Sequence, residues 1–217
     1  MRIRDYFGDD EEVLDIVCRP AVRDDLPAVA MLAAETLNRT FSPLLGVQES
    51  KLDEILLKAL ESRLRHDCTW VMEDEGKVIG TIDLETVETR RLNGPSLARV
   101  LAGALELTEK IRELGLMPLL MHEPEENEAH MALVSLLPGS RGEGRGTLLL
   151  MHGALWAKAQ GKDTMTTWFR LDDPFILVYE RRGFTVVREV EVRGVEGPEK
   201  WGMLARGILP RKHKKAK

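Results

Sequence analysis

Three groups of residues in this 217-residue chain have the types and spacing to do chemistry. The first is the segment LVSLLPGSRGEGRGTLLLM, where Gly142, Gly144 and Gly146 stand between a strand-like run and a helix-like run. Glycine at every second position lets the backbone approach a ligand with no side chain in between. The unpaired N–H groups that open a helix carry roughly half a positive charge and favour phosphate oxygens. Arg141 and Arg145 add positive charge beside them, so the segment suits a pyrophosphate. A triphosphatase loop is excluded because no Lys-Ser/Thr pair follows the last glycine. A dinucleotide loop would need glycine where Thr147 or Leu149 stands, and a nucleophile elbow would need a residue between Gly139 and Ser140. Taken alone, the loop also reads as a plain glycine-rich turn. The second group is Glu128 and His130, two apart at the start of the strand before the loop and therefore on one side of it. An imidazole with an unperturbed pKa of about 6.5 can take a proton directly or through water. Asp83 and Glu85, on the preceding strand, are weaker candidates that suit an exposed face. The third is Tyr179, whose phenol can donate a proton or a hydrogen bond, or else fix helix to strand.

These groups need elements to hold them. Residues 13–19 read as a strand rich in Val, Ile and Leu. Asp24 or Asp25 and then Pro27 suit the start of a helix carrying Leu26, Val29, Ala30, Ala33 and Leu37. NRTFSPLLGV reads as a loop, and ESKLDEILLKALESRLRH as a second helix with Leu52, Ile55, Leu56, Ala59, Leu60 and Leu64 on one side. A hairpin follows over CTWVMED and VIGTIDLETVE, with a glycine at its turn. Residues 94–115 read as one helix ending at a glycine, and EPEENE as a charged loop. EAHMALVSLLP is then a strand, TLLLMHGALWAKAQG a helix, DTMTTWF a strand and FILVYERRG a helix. Two more strands, FTVVREVEV and KWGMLARGIL, complete the chain before its tail. The β-α-β unit over 128–169 requires two parallel strands and a right-handed crossover, whereas the hairpin pairs antiparallel. The expected fold is a mixed α/β sheet.

Composition sets the outer bounds. With 43 % hydrophobic and 31 % charged residues the chain is expected to fold, as one large domain or one with decoration. No apolar run approaches the ~20 residues that span a bilayer, and the acidic start MRIRDYFGDDEE is unlike a secretory signal. Two cysteines in no paired motif, Cys18 and Cys68, exclude a disulfide scaffold and a Cys-rich metal site and fit a reducing cytosol. His66, His122, His152 and His213 form no ligand spacing, so no metal is expected. The net charge of −5 is an average: from Arg206 on there are six basic residues and no acids, leaving 25 basic against 36 acidic residues, or −11, in the body. Such a body favours a cationic acceptor by long-range attraction. The tail RKHKKAK reads as a solvated end, too short and without aromatics for a nucleic-acid contact beyond the tail itself.

The order Pro138, Arg141, Gly144, Gly146 resembles the coenzyme-A signature Arg-x-x-Gly-x-Gly of the GNAT superfamily of N-acetyltransferases. The later run Tyr179, Glu180, Arg181, Arg182, Gly183, Phe184 is similar to that family's Tyr-Glu-(Lys/Arg)-x-Gly-Phe helix end. The resemblance covers about residues 13–207 except 94–121. It implies a GNAT fold: a mixed, mostly antiparallel α/β (α+β) sheet splayed at the coenzyme-binding strand and flanked by helices. The 94–121 segment becomes a helical insertion between the third and fourth strands, with an acidic segment 1–12 before the domain and a basic tail 208–217 after it. It implies transfer of an acetyl group from acetyl-CoA to a primary amine by direct attack on the thioester, the acceptor being a small molecule or a protein. It also implies that the loop Arg141, Gly142, Glu143, Gly144, Arg145, Gly146, Thr147 holds the coenzyme and that backbone amides near Leu136 and Leu137 polarise the thioester carbonyl. Tyr179 takes the place of the acid for the leaving thiolate, and Glu128 or His130 that of the base. Asp172 and Phe175 stand where the family often has Asn and Ala, at a local coenzyme contact. That departure leaves room for the alternative of a GNAT-fold module that binds acyl-CoA without turnover. The acceptor groove is expected along Asn38–Glu49 and Gly194–Trp201, with Phe41, Leu44, Leu45 and Trp201 at its rim. The insertion's apolar face (Leu97, Val100, Leu101, Ala104, Leu105) suits covering a sheet edge or meeting a second subunit in a homodimer.

Overall fold

The strands are β1 (Ile16–Pro20), β2 (Thr69–Asp74), β3 (Lys77–Glu85), β4 (Glu128–Leu136), β5 (Thr164–Arg170), β6 (Thr185–Arg193) and β7 (Pro198–Gly207). They form one sheet in the order β1-β2-β3-β4-β5-β7-β6. Every neighbouring pair is antiparallel except β4–β5, which is parallel, as the β-α-β reading requires. The structure is a computed structural model and describes residues 16–45, 60, 68–94, 96–142, 144–194 and 196–208. The acidic first segment, most of the second expected helix, Glu143, His66, His213 and the basic tail lie outside them, as do the side chains of Leu44, Leu45, Leu97 and Leu101. Among the described residues no helix is long and apolar enough to cross a membrane.

Two hydrophobic clusters sandwich the sheet. Adjacent strand residues face opposite sides, and Val71 and Met72 show which helix covers which. Helix α1 (Leu26–Leu45) packs Val29, Ala30 and Ala33 against Val71 and Leu133. The later 15-residue helix Arg145–Ala159 packs Leu149, Leu150 and Trp156 with Met72, Ile82 and Met131. Met131 and Leu133 would share a face in a regular strand. The pairing Asp83↔Leu133 followed by Leu84↔Met131 leaves Ala132 as an extra residue, a bulge that turns them to opposite faces.

Three expectations are corrected. Asn38–Leu45 is not a loop, because α1 continues to Leu45 with Phe41 anchored in a third apolar cluster. The third strand ends at Glu85 rather than in the 88 region. Thr86 and Thr89 exchange side-chain to backbone hydrogen bonds of 3.2 and 2.8 Å, a capping box that starts α2 (Val87–Asn93). Residues 94–115 do not form one helix. Ser96 Oγ accepts from the Arg99 amide at 3.1 Å as α3 (Leu97–Ala104) begins, and Glu106, at φ 55°, interrupts the chain before α4 (Thr108–Glu113). Gly115, at φ 77°, then breaks it before α5 (Met117–Leu120). With the register reset at Glu106, the buried face is Ala102, Ile111, Leu116 and Leu119, while Val100 and Ala104 are exposed. These four pack with Phe41, Trp168, Val192 and Trp201.

Candidate functional site

The site begins where the sheet opens. β4 and β5 pair only from Glu128–His130 to Thr164–Thr166. Thr167 Oγ1 then donates to the Met131 carbonyl at 3.0 Å, and beyond it β5 stays with β7 while β4 stays with β3. Between the parted strands lies a cavity of about 200 Å³. Its walls are Met131–Val134 and Thr167–Arg170, with His130, His122, Tyr179, Phe41 and Trp201 around them. Ser96, Ala98, Leu119 and Leu120 also line it, so the insertion builds one wall of the cavity, with Arg90 beside it.

Along β4, successive N–H groups point alternately to the two sides. The Leu137 amide donates to the Ile79 carbonyl at 2.9 Å, on the β3 side. It is therefore engaged and is not a free donor for a thioester carbonyl, contrary to the sequence expectation. Leu136 is directed the other way, toward the opening. Its carbonyl accepts from Arg141 Nε and Nη2 at 3.2 and 3.1 Å.

Next comes the glycine loop and the helix it opens, α6 (Arg145–Ala159). Gly144 sits at φ 74° in the left-handed region and Gly142 at φ 108°. A Cβ at either would meet nothing within 4 Å, so the space before the loop is open to a ligand. The first helical bond runs from the Leu148 amide to the Gly144 carbonyl at 3.1 Å. The N–H groups of Arg145, Gly146 and Thr147 precede it and have no acceptor within the helix. This cradle fits a pyrophosphate. The two arginines do not add free charge to it. Arg141 Nη2 is 2.6 Å from Glu35, and Arg145 Nη2 is 3.0 Å from Asp74. Backbone amides and the helix start, rather than the guanidiniums, are the groups left for phosphate.

At the other end, Glu128 and His130 are both buried. Thr166 Oγ1 donates to Glu128 Oε1, so its oxygen accepts from His130 Nδ1–H at 2.9 Å. His122, from the loop after α5, brings Nε2 to 2.7 Å from the same carboxylate oxygen, and the Glu125 amide donates to Oε2 at 3.0 Å. The two imidazole rings are 4.4 Å apart. Burial alone would raise the Glu128 carboxyl, but the hydrogen bonds from His122, Thr166 and Glu125 outweigh it and keep the group ionised. Burial, reinforced by the neighbouring His122, pushes His130 well below an ordinary imidazole. Sequence spacing had set His122 aside, because the five residues between it and Glu128 carry no periodic signal; the turn into β4 brings it in. Arg90 Nη2 donates to the His122 carbonyl at 3.0 Å and also pairs with Glu85. Asp83 and Glu85 are buried, not exposed as the alternation of β3 suggested.

Tyr179 is on α7 (Ile176–Glu180) and lines the cavity. Its ring lies 5.0 Å from Phe169 and 5.6 Å from Phe184. Burial, then the Asp173 carboxylate, raises its phenol above the ordinary value. Asp172 is exposed and lies 2.7 Å from Arg170 Nε. Phe175 is half exposed, with the Arg39 guanidinium 5.9 Å from its ring centre. Phe41 stacks on Trp201 at 5.6 Å.

Residues 33–184 match the model of the Acetyltransferase (GNAT) family. Among solved structures, an N-acetyltransferase from Staphylococcus aureus Mu50 superposes with a TM-score of 0.64 at 19 % identity, over 88 % of this chain and 100 % of that one. The yncA protein of Salmonella typhimurium, solved with its cofactor acetyl-CoA, gives 0.59 at 17 % identity, over 93 % and 99 %. The ribosomal-protein-S18-alanine N-acetyltransferase of Escherichia coli gives 0.55 at 14 % identity, over 93 % and 99 %. At these identities the likeness is one of fold.

Proposed function

The chain belongs to the GNAT acetyltransferase family, and from that premise we propose that it acetylates a primary amine seated in the cavity between β4 and β5. The observation that carries this reading is the opening between β4 and β5, which Tyr179 and His130 line and from which β4 runs on through Leu136 and Leu137 into the glycine loop. Acetyl-CoA, the donor that the family uses, supplies an acetyl thioester with a thiol leaving group.

The residues divide the remaining work. The amides of Arg145, Gly146 and Thr147 bind phosphate, with Gly142 and Gly144 giving the backbone its approach. The Leu136 amide, on the open side of β4, is the donor placed to polarise a carbonyl. Tyr179 offers its phenol to the sulfur. An amine with a free pKa near ~10 arrives as an ammonium and must lose a proton before it can attack. The ionised Glu128, hydrogen-bonded to His122 and through Thr166 to His130, makes this end of the cavity the basic one, where that proton is received. A cavity of about 200 Å³ suits a small amine or the tip of an extended peptide better than a folded surface. The Escherichia coli neighbour, named for a protein α-amine, makes a peptide N-terminus one arm of the test.

The test measures thiol release from acetyl-CoA over spermidine, 2-phenylethylamine and an alanine-ended peptide, alongside the thermal shift that acetyl-CoA produces. A shift with amine-dependent release supports the reading. A shift with no release on any amine removes the amine acceptor, and no shift at all removes the coenzyme assignment.

A further inference from the structure

We infer that His122, supplied by the loop that closes the insertion, is the group that takes the ammonium proton, with Glu128, Thr166 and His130 as the residues that hold it ready. The inference rests on the amine-acetylation reading above and names the base within that site.

Glu128 is a carboxylate and can only accept. Its Oε1 lies 2.7 Å from His122 Nε2, so Nε2 carries the hydrogen and Nδ1 keeps its lone pair. Nδ1 has no partner among the described residues, and the ring lines the cavity. His130 is fixed by the same oxygen at one remove. Its Nδ1–H donates to Thr166, and Thr166 donates to Glu128. One carboxylate oxygen thus sets the tautomers of two imidazoles whose rings are 4.4 Å apart. Two rings that close cannot both carry charge. His122 touches the carboxylate directly and keeps some contact with solvent, its side chain being 14 % exposed, whereas that of His130 is 7 % exposed and meets the carboxylate through a hydroxyl. His122 is therefore the ring placed to pass a proton between the cavity and solvent. His130, remaining neutral, presents Nε2 as a hydrogen-bond acceptor for the amine.

The groups facing His122 are few. From β4 they are Glu128 and His130, from β3 Glu85, and from α2 Arg90. Glu123 is the next residue along the chain and lies 4.0 Å from Arg90 Nε. Arg90 is neutralised by Glu85 and holds the His122 carbonyl at 3.0 Å, so it pins the loop more than it repels the ring. In the full reaction the nitrogen forms its bond to the acetyl carbon, the carbon–sulfur bond breaks, and the nitrogen loses two protons. One passes through His122 Nδ1 to solvent, and the other restores the proton that Tyr179 hands to sulfur.

The test is the pH dependence of kcat/KM for the most active amine of the panel, in the wild type, His122→Asn and Glu128→Gln. A free amine of pKa ~10 is only about one part in a thousand unprotonated at pH 7. Losing the base should therefore lower kcat/KM by about 100- to 1,000-fold at pH 7. The loss should shrink steadily toward pH 10, where the amine supplies its own free base. The thermal shift given by acetyl-CoA should stay as in the wild type. Independently of turnover, 15N-labelled imidazole spectra of the wild type at pH 7.5 should show His122 as the Nε2–H tautomer and His130 as the Nδ1–H tautomer. A His122→Asn loss that is the same at every pH, an activity within threefold of wild type, or the opposite tautomer of His122 overturns the assignment. No thiol release by the wild type on any amine would instead overturn the transfer reading on which it rests.

Discussion

Replacing Tyr179 with Phe removes one oxygen and leaves the ring, so it separates a chemical role from a packing role. The ring contacts, 5.0 Å to Phe169 and 5.6 Å to Phe184, are kept. The hydroxyl makes no hydrogen bond to the described residues, so little folding energy depends on it. Stability at pH 7 should stay within about 1 kcal/mol of wild type, since the residue lines the cavity and no hydrogen bond is lost. Catalysis should not hold. Positioned acids contribute about 100- to 10,000-fold. Burial raises this phenol above its usual value and makes it a weak acid, which points to the low end of that range. A 100-fold loss in kcat corresponds to about 2.7 kcal/mol of barrier. The assay is thiol release at saturating acetyl-CoA, with urea unfolding of both proteins in parallel. The sign of the pH effect is also fixed. The folded phenol stays protonated where the unfolded one, near ~10, ionises, so above pH 10 the wild type loses more stability with rising pH than the Phe variant does. A kcat within threefold of wild type, or a stability loss above about 1.5 kcal/mol, would show that Tyr179 packs rather than reacts.

Gly144→Ala places a Cβ in open space but at φ 74°, so it should cost about 1–2 kcal/mol in urea unfolding and weaken the acetyl-CoA thermal shift. Trp201→Ala removes a 3 % exposed ring stacked on Phe41 and should cost about 3–5 kcal/mol, raising the acceptor KM more than that of acetyl-CoA. Asp25 is held below its usual value by hydrogen bonds from Arg19, so its stabilisation is present above the unfolded value near ~4 and is lost as pH falls through the folded one. Asp25→Asn should therefore be less stable than wild type at pH 7, and the gap should narrow at pH 3 in urea titrations.

What the residues alone made legible follows from where the information sits. The glycine loop and the Tyr179 helix are local, with fixed spacing and glycines whose backbone angles demand them, so their place between strand and helix could be read from the chain. The succession of strands along the chain was legible for the same reason, since apolar β-branched runs and a glycine turn are short-range signals, but the place of β7 between β5 and β6 was not. The breaks in the insertion were not, because Ser96 and Glu106 look ordinary until the Arg99 amide and the φ of 55° are seen. The helix past Asn38 was also hidden, since Phe41 is held there by Trp201, some 160 positions away. His122 joins Glu128 only through a turn held by the Glu125 amide and by Arg90. The charges of Arg141 and Arg145 misled in the opposite direction. Their acids, Glu35 and Asp74, come from α1 and β2, and no local pattern announces such long-range neutralisation.

The third apolar cluster has a consequence for how such a protein can change. It ties Ile111, Leu116 and Leu119 to Val192 and Trp201, whereas the helix behind the glycine loop is rooted in the cluster of Leu149, Leu150 and Met72. Sites that share no partner respond to substitution almost independently. Accumulated changes in the insertion can therefore reshape that wall of the cavity while leaving the glycine loop untouched. Under the proposed function, acceptor preference is free to drift while the donor stays the same.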